Sequence, residues 1–189
     1  QQPAKPDGCD EGIVKGAYKL QESKKSDFGH VRILGSGPIL QYAREAASFL
    51  ESEFEISSEV WSVTSYGELR REGMESERQN RLNPQSQKSA YVSDCFGDDT
   101  PTIAVSDYIV AVPEMIQRWV GGRFTVLGTD GFGRSDTREE LRRFFEIDTK
   151  SIVLAALSTL EREGTLKEGT VKEQSEKMGI SRIREDKAA

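Results

Sequence analysis

The chain has 189 residues, of which 26 are basic and 32 acidic, so its net charge at neutral pH is −6. This length fits one domain with an ordinary core, with or without tails, and excludes a large two-domain enzyme. The acidic balance and the lack of a long basic block exclude a phosphate-backbone footprint, so we expect no nucleic-acid partner.

Cysteine content and hydropathy indicate where in the cell the protein is expected. Cys9 and Cys95 are too few for a disulfide framework in a chain of this size, which favours a reducing, cytoplasmic location. The longest apolar run, Ile152 to Leu157, is far below the ~20 residues of a membrane span, so we expect a soluble protein without a membrane partner. The chain begins with Gln1 rather than Met, which indicates a fragment or a processed product.

The first eleven residues differ in composition from the rest. Residues 1–11 are polar and contain Pro and Gly, which is typical of a linker or arm. We therefore expect one folded domain over residues 12–189. Its first element is a strand predicted over Gly12 to Leu20, where apolar side chains are spaced along a short segment.

Apolar spacing predicts alternating strands and helices along the rest of the domain. Strands are expected at Val31 to Leu34, Val60 to Thr64, Thr102 to Val105 and Phe124 to Leu127. Helices are expected at Ile39 to Phe54, Tyr66 to Leu82, Tyr108 to Val120 with a restart at Pro113, Thr137 to Phe145, Ser151 to Leu160 and Glu168 to Met178. Tyr91 to Phe96 fits a strand or a helix. This alternation predicts an α/β fold with a mostly parallel sheet covered by helices on both faces.

The stretch GTDGFGRSD, from Gly128 to Asp136, forms the corner between the last strand and the next helix. Its three glycines predict a loop of defined shape that tolerates no added side chains. Asp136 is expected to cap the following helix, with Glu139 reaching back to it. Such corners lie at the carboxyl edge of open sheets, where functional sites usually lie, although a purely structural turn is the plain alternative.

A second glycine turn, Gly35-Ser36-Gly37, lies between a strand and a helix, which is an arrangement that binds phosphate. Position 40 is Leu where a dinucleotide fingerprint has Gly, and the Gly-Lys pair of a P-loop is missing. A tight structural turn is therefore favoured over a nucleotide site.

Other polar residues give no convincing catalytic set. His30 is the only histidine and begins a predicted strand, so we expect a surface histidine. Asp94, Asp98 and Asp99 would suit a hard cation, but a solvated loop explains them equally well. On the predicted helix Tyr66 to Leu82, four arginines alternate with four glutamates, which favours a paired, exposed face over an anion site.

Several segments together resemble one known family. They are EGIVKGAYKL (Glu11 to Leu20), ILGSGPILQYAREAA (Ile33 to Ala47), VWSVTSYGELRREG (Val60 to Gly73), SERQNRLNP (Ser76 to Pro84) and, above all, LGTDGFGRSDTREELRRFFEID (Leu127 to Asp148). In this collinear order they resemble the C-terminal domain of the homodimeric, bacterial-type pyruvate dehydrogenase decarboxylating component. The strand-turn-helix units are also similar, more distantly, to the C-terminal domain of transketolases.

The resemblance implies a three-layer αβα fold with a five-stranded mixed sheet, in which the first strand is antiparallel. It also implies a structural and interface domain of a thiamine diphosphate-dependent pyruvate dehydrogenase, an enzyme that decarboxylates pyruvate oxidatively and reductively acetylates lipoyl groups. Family members hold thiamine diphosphate and Mg²⁺ between two other domains, whose motifs are missing here. The resemblance thus assigns no catalytic, cofactor-binding or metal residue to this chain, and the chain alone should be inactive.

The implied partners are the remaining domains and second subunit of the same dimeric enzyme, and the lipoyl acyltransferase component of its complex. We expect the corner loop to hold the domain against its neighbours through polar contacts of Asp130, Arg134 and Asp136. Phe132 is expected either to anchor the loop in the core of this domain or to insert across the interface. A free-standing regulatory or interaction module of transketolase-type fold is the alternative. A nucleotide-binding protein that uses Gly35 to Gly37 is a third hypothesis.

Overall fold

The computed structural model describes residues 4–24 and 26–180, and these residues form one five-stranded sheet with helices on both faces. The strands are β1 (Ala17–Glu22), β2 (His30–Gly35), β3 (Ser57–Val63), β4 (Thr102–Val105) and β5 (Phe124–Leu127). Their order is β1-β3-β2-β4-β5. Strand β1 runs antiparallel to β3, and the other neighbours are parallel. The predicted mixed sheet with one antiparallel strand is confirmed.

The helices connect and cover these strands. They are α1 (Asp10–Lys15), α2 (Leu40–Phe54), α3 (Tyr66–Leu82), α4 (Tyr91–Phe96), α5 (Ala111–Glu114), α6 (Arg138–Phe144), α7 (Thr149–Arg162) and α8 (Thr170–Met178). Two 3₁₀ turns, Gly37–Ile39 and Gln117–Trp119, precede α2 and follow α5. The undecided segment 91–96 is thus a helix, and α3 has its predicted bounds.

Two apolar cores, one on each face of the sheet, produce the three layers. Because side chains alternate between faces along a strand, Ile33 of β2 joins one core and Leu34 joins the other. The first core packs β2, β3 and β4 against α2 and α7 through residues such as Leu50 and Leu157. The second packs the opposite face against α3 and α4, with Phe96 fully buried. The predicted three-layer αβα fold is confirmed.

The predicted strand over residues 12–20 is wrong in its first half. Residues 10–15 form helix α1, which begins inside the segment expected to be an arm. The helix ends at Gly16, whose φ of 108° lies in the left-handed region that glycine adopts readily. A Cβ at Gly16 would lie 2.5 Å from the Ser65 carbonyl oxygen, so a larger residue would not fit there. Strand β1 begins at the next residue, Ala17.

The helix predicted over residues 108–120, with a restart at Pro113, is also wrong for most of its length. Helix α5 has four residues, and the segment continues through three-residue turns. Ile116 N–H donates to the Pro113 carbonyl oxygen at 3.2 Å, and Trp119 N–H donates to the Ile116 carbonyl oxygen at 3.0 Å. Apolar side chains that recur every three residues fit such turns as well as they fit a helix. Proline, which has no N–H group, also limits α-helical pairing here.

Ion pairs on α3 confirm its predicted paired, exposed face. Arg71 pairs with Glu68 at 2.5 Å, and Arg78 pairs with Glu75 at 3.5 Å. These side chains are largely exposed, so the pairs contribute little to the free energy of folding.

Candidate functional site

The carboxyl ends of the four parallel strands meet at one edge of the sheet, where their loops lie side by side. The connection after β2 leads to β3 on one side, whereas the connection after β4 leads to β5 on the other. The loops that follow β2 and β4 therefore diverge, which creates the topological switch point where open α/β sheets bind their ligands. The corner loop, residues 128–136, follows β5 at the same edge.

The base of the corner loop is fixed to the loop that follows β4. Thr129 N–H donates to the Tyr108 carbonyl oxygen at 2.9 Å, and the Asp130 carboxylate accepts from Val110 N–H at 3.1 Å. A Cβ at Gly128 would lie 2.7 Å from the Tyr108 carbonyl oxygen, so glycine permits this close approach of two backbones. The predicted defined shape is confirmed at this end of the loop.

The tip of the loop is open. Gly131 has a φ of 109°, and the next side chain, Phe132, is 74% exposed. A Cβ at Gly133 would meet no atom within 4 Å, and the φ of this residue is not positive. The prediction that all three glycines exclude side chains is therefore wrong for Gly133.

The cap of the following helix lies one residue later than predicted. Helix α6 begins at Arg138, and its N-cap is Thr137, whose hydroxyl accepts from Glu140 N–H at 3.3 Å. Thr137 has the extended backbone, with a ψ of 156°, that an N-cap requires. The Asp136 carboxylate instead accepts from Thr137 N–H at 2.7 Å. The predicted capping pair of Asp136 and Glu139 is wrong.

Arg134, which was also predicted to contact a neighbour, packs against its own domain. Its guanidinium carbon lies 4.7 Å from the centroid of the Phe144 ring in α6, which is a cation–π distance. Asp130, Arg134 and Asp136 thus all make contacts inside the domain, whereas Phe132 points most of its surface to solvent. Tyr108 and Ile109, on the neighbouring loop, are 55% and 53% exposed. Their exposure was not predicted, because the apolar spacing predicted a packed helix in this segment.

A cleft of about 520 Å³ opens between the loops that follow β2, β3 and β4. Ser36, Gly37, Ser65, Tyr66, Gly67 and Tyr108 are among the residues that line it. Helix α3 begins at this cleft, and its N-cap Ser65 accepts from Glu68 N–H at 3.1 Å. The turn Gly35-Ser36-Gly37 borders the cleft as a tightly packed turn, since a Cβ at Gly35 would lie 2.9 Å from the Leu40 Cα.

A charged cluster of Lys19, Arg32, Glu59 and Asp98 lies on the sheet face covered by α3 and α4, near the opposite edge. The Arg32 and Glu59 side chains form an ion pair, and they are only 3% and 6% exposed. Arg32 also donates from Nη2 to both Asp98 carboxylate oxygens, at 2.9 and 3.1 Å, while Lys19 lies 2.7 Å from Glu59. This cluster was not predicted from the sequence, although an Arg inside the apolar segment VRIL indicates a buried charge that needs a partner.

The cluster shifts the pKa values of both acids. Burial alone would raise the pKa of Glu59, but the hydrogen bond from Lys19 and the Arg32 guanidinium together lower it below its ordinary value. Burial would also raise the pKa of Asp98, and the Thr100 N–H and Arg32 together lower it. Both carboxylates are therefore ionised at neutral pH.

Comparison with known proteins places this architecture in a family. The sequence model of the transketolase-like TK C-terminal domain matches residues 16–148. The chain belongs to that family. Among solved structures, transketolase from Leishmania mexicana has a TM-score of 0.56 at 21% identity, over 83% of this chain and 20% of that one. A structure described as a split gene transketolase, inactive beta4 tetramer, has a TM-score of 0.51 at 18% identity, over 78% of this chain and 43% of the other.

Curated relatives of this transketolase-like C-terminal domain are more similar in sequence. The pyruvate dehydrogenase E1 component of Pseudomonas aeruginosa is 50% identical over 182 residues, which is 95% of this chain and 21% of the relative. The E1 component of Escherichia coli strain K12 is 42% identical over 180 residues, 94% of this chain and 20% of the relative. The chain thus spans about a fifth of the length of these relatives.

The acidic, cysteine and histidine side chains of this transketolase-like domain are dispersed over the part of the chain that the structure describes. Over residues 4–24 and 26–180, no group of three or more His, Cys, Asp and Glu side chains is arranged to hold a metal ion. The candidate cation ligand Asp98 is engaged by Arg32. His30 is half-buried rather than on the surface, and its Nδ1 lies 2.8 Å from the Ser57 hydroxyl. Within the same ranges, no helix is long and apolar enough to cross a membrane.

Proposed function

We propose that the chain is the C-terminal domain of a cytoplasmic, thiamine diphosphate-dependent pyruvate dehydrogenase of the E1 type. The observation that carries this proposal is the 50% identity with the Pseudomonas aeruginosa E1 component over 95% of the chain. The whole enzyme would decarboxylate pyruvate oxidatively and acetylate lipoyl groups reductively, which links glycolysis to acetyl-CoA. Thiamine diphosphate and Mg²⁺ would be held by the other parts of the enzyme.

The role of the domain in this proposal is to contact the rest of the enzyme and its second subunit. Phe132 is 74% exposed at the tip of a loop whose base is fixed by Thr129 and Asp130. A rigid base and an exposed aromatic tip suit an anchor that enters a pocket on a neighbour, because little conformational freedom is lost on contact. Arg134 and Asp136 would then orient the loop rather than reach across. The lipoyl acyltransferase component would bind the whole enzyme.

An exchange of segments tests the proposal. The matched segment of the Pseudomonas aeruginosa E1 component is replaced by this chain, which gives an E1 chimera. As a matched control, the same segment is replaced by the corresponding part of the Leishmania mexicana transketolase, which shares the fold at 21% identity. We expect the E1 chimera to keep most of its pyruvate turnover, the control to lose it, and this chain alone to have none. A folded E1 chimera without turnover, or equal turnover in both exchanges, contradicts the proposal.

A further inference from the structure

Two residues that line the cleft at the carboxyl edge have buried hydroxyls that lack partners. Ser36 and Tyr66 line it and are 4% and 3% exposed. Within the described part of the chain, neither the Ser36 Oγ nor the Tyr66 hydroxyl oxygen has a hydrogen-bond partner. Buried hydroxyls in folded proteins almost always have partners, so two without them beside one cleft indicate a polar group that binds there.

The same cleft receives the N-terminus of a long helix. Helix α3 has 17 residues, and its first N–H groups have no acceptor within the helix. The Ser65 hydroxyl accepts from one of them, that of Glu68, while Tyr66 and Gly67 of the first turn line the cleft. The N-terminal end of a helix carries partial positive charge and favours a negatively charged group.

The charges around the cleft restrict what it would accept. Among the residues that the structure describes, those that line the cleft are uncharged. Asp107 lies nearby, since its Oδ1 would be 3.9 Å from a Cβ at Gly37, and Glu68 at the start of α3 is paired with Arg71. Without a Lys or Arg side chain, the cleft is unsuited to a polyphosphate, which disfavours the nucleotide hypothesis.

The protonation of Tyr66 suits a hydrogen-bond donor. Burial raises the pKa of the Tyr66 phenol above its ordinary value, so the hydroxyl keeps its proton at neutral pH. The Ser36 hydroxyl is a donor at any ordinary pH. Two hydroxyl donors and the first turn of α3 together match an acceptor group with several oxygens.

We propose that this switch-point cleft binds a compact oxyanion, the carboxylate or phosphate group of a small organic acid or ester. The cleft volume of about 520 Å³ leaves room for the rest of such a molecule. The residues that line the cleft lie within this chain, so binding can be tested on the isolated chain whether or not the proposed function holds. Binding would be weak, with a Kd on the order of 1 mM, because hydroxyl and backbone donors replace a cationic side chain.

Nuclear magnetic resonance of the ¹⁵N-labelled chain tests the site. Inorganic phosphate and acetate are titrated separately at constant ionic strength, with chloride as the reference anion. We expect saturable amide shifts at residues 36, 37, 39 and 65–68 with at least one of the two. Shifts with phosphate alone identify a phosphate ester, shifts with acetate alone identify a carboxylate, and shifts with both identify the shared oxyanion. The proposal fails if these residues respond to neither anion, or no more than they respond to chloride.

Variants connect the response to the orphaned hydroxyls. Ser36→Ala should weaken binding about tenfold, while its melting temperature in chloride stays equal or rises because a buried hydroxyl without a partner is removed. The matched control is Ser175→Ala, a buried serine of α8 whose hydroxyl already donates to the Lys172 carbonyl oxygen at 2.8 Å. Its anion affinity should not change. If Ser36→Ala does not fold, Tyr66→Phe replaces it, and unaltered affinity in the folded variant overturns the proposal.

Discussion

The charged cluster and the corner loop show two ways in which one domain uses its charged side chains. In the cluster, Arg32 and Glu59 are almost fully buried and bind each other. In the loop, Asp130 binds the loop that follows β4, Arg134 packs on α6, and Asp136 binds the N–H group of the next residue. The apolar side chain of Phe132, at the tip of the loop, is 74% exposed. The cluster thus keeps buried charges paired, whereas the loop presents an exposed apolar side chain on a fixed base.

The largest loss of stability is expected when the buried acid of the cluster, Glu59, is removed. Glu59→Ala leaves the Arg32 guanidinium buried without its main counter-ion, so we expect a loss of about 3–5 kcal/mol in the free energy of unfolding. Glu22→Ala is the control, because the Glu22 side chain is 45% exposed and pairs with Lys19 at the surface. That change should cost less than about 1 kcal/mol. Urea denaturation measures both, and similar costs would contradict a stabilising role for the cluster.

The contribution of the charged cluster to stability should depend on pH. The folded state lowers the pKa values of Glu59 and Asp98, so the unfolded chain binds more protons as the pH falls toward the ordinary values of these acids. Their stabilisation is therefore complete above those values and is lost as the pH falls from about 5 to about 2. Glu59→Gln should have a shallower loss of stability over this range. The free energy of unfolding of both proteins is measured by urea denaturation at several pH values. If it falls equally steeply with pH in both, the ionised Glu59 does not contribute to stability.

A pair of glycine variants separates the base of the corner loop from its tip. Gly128→Ala puts a methyl group 2.7 Å from the Tyr108 carbonyl oxygen, so we expect it to cost about 1–3 kcal/mol. Gly133→Ala meets no atom within 4 Å and should change stability by less than about 0.5 kcal/mol. Thermal denaturation compares them. If both substitutions cost the same, the division into a fixed base and an open tip is wrong.

A smaller effect is expected at the start of α6. Thr137→Ala removes the hydroxyl that caps the helix and should cost about 1 kcal/mol. Asp136→Ala removes an exposed carboxylate that binds only the next N–H group, so its cost should be about 0.5 kcal/mol or less. Urea denaturation of both variants decides between the two residues. A larger loss for Asp136→Ala would restore that residue as the cap.

Much of the fold is predictable because several segments carry unambiguous local signals. Helix α3 and strands β4 and β5 have their predicted bounds, since polar or glycine residues flank each continuous pattern. Residues 10–16 and 108–120 were misassigned because short apolar spacing fits helices, strands and 3₁₀ turns alike. In these two segments Gly16 and Pro113 decide the outcome, through a left-handed backbone and a missing N–H group.

The candidate sites were predictable only in part. The corner loop is local in sequence, so its position at the carboxyl edge followed from the strand-to-helix order. The charged cluster joins Arg32 to partners 27 and 66 residues away, and no local pattern reveals such pairing. The cleft likewise depends on which loops become neighbours in the sheet. Even in the corner loop, the outward position of Phe132 among polar neighbours required the three-dimensional structure.

We infer that the corner loop holds this domain against the rest of an E1 enzyme, and substitution of Phe132 tests this role. Phe132→Ser is compared with Leu82→Ser, which changes a 60% exposed residue at the far end of α3. In the isolated chain both variants should stay within about 0.5 kcal/mol of the parent stability.

The deciding measurement is the dimer dissociation constant of the E1 chimera, from analytical ultracentrifugation over a concentration series. We predict that Phe132→Ser raises this constant about tenfold or more, because a buried aromatic anchor is lost, and that Leu82→Ser leaves it unchanged. If Phe132→Ser leaves dimer dissociation and pyruvate turnover the same as in the unsubstituted E1 chimera, the loop has no interface role.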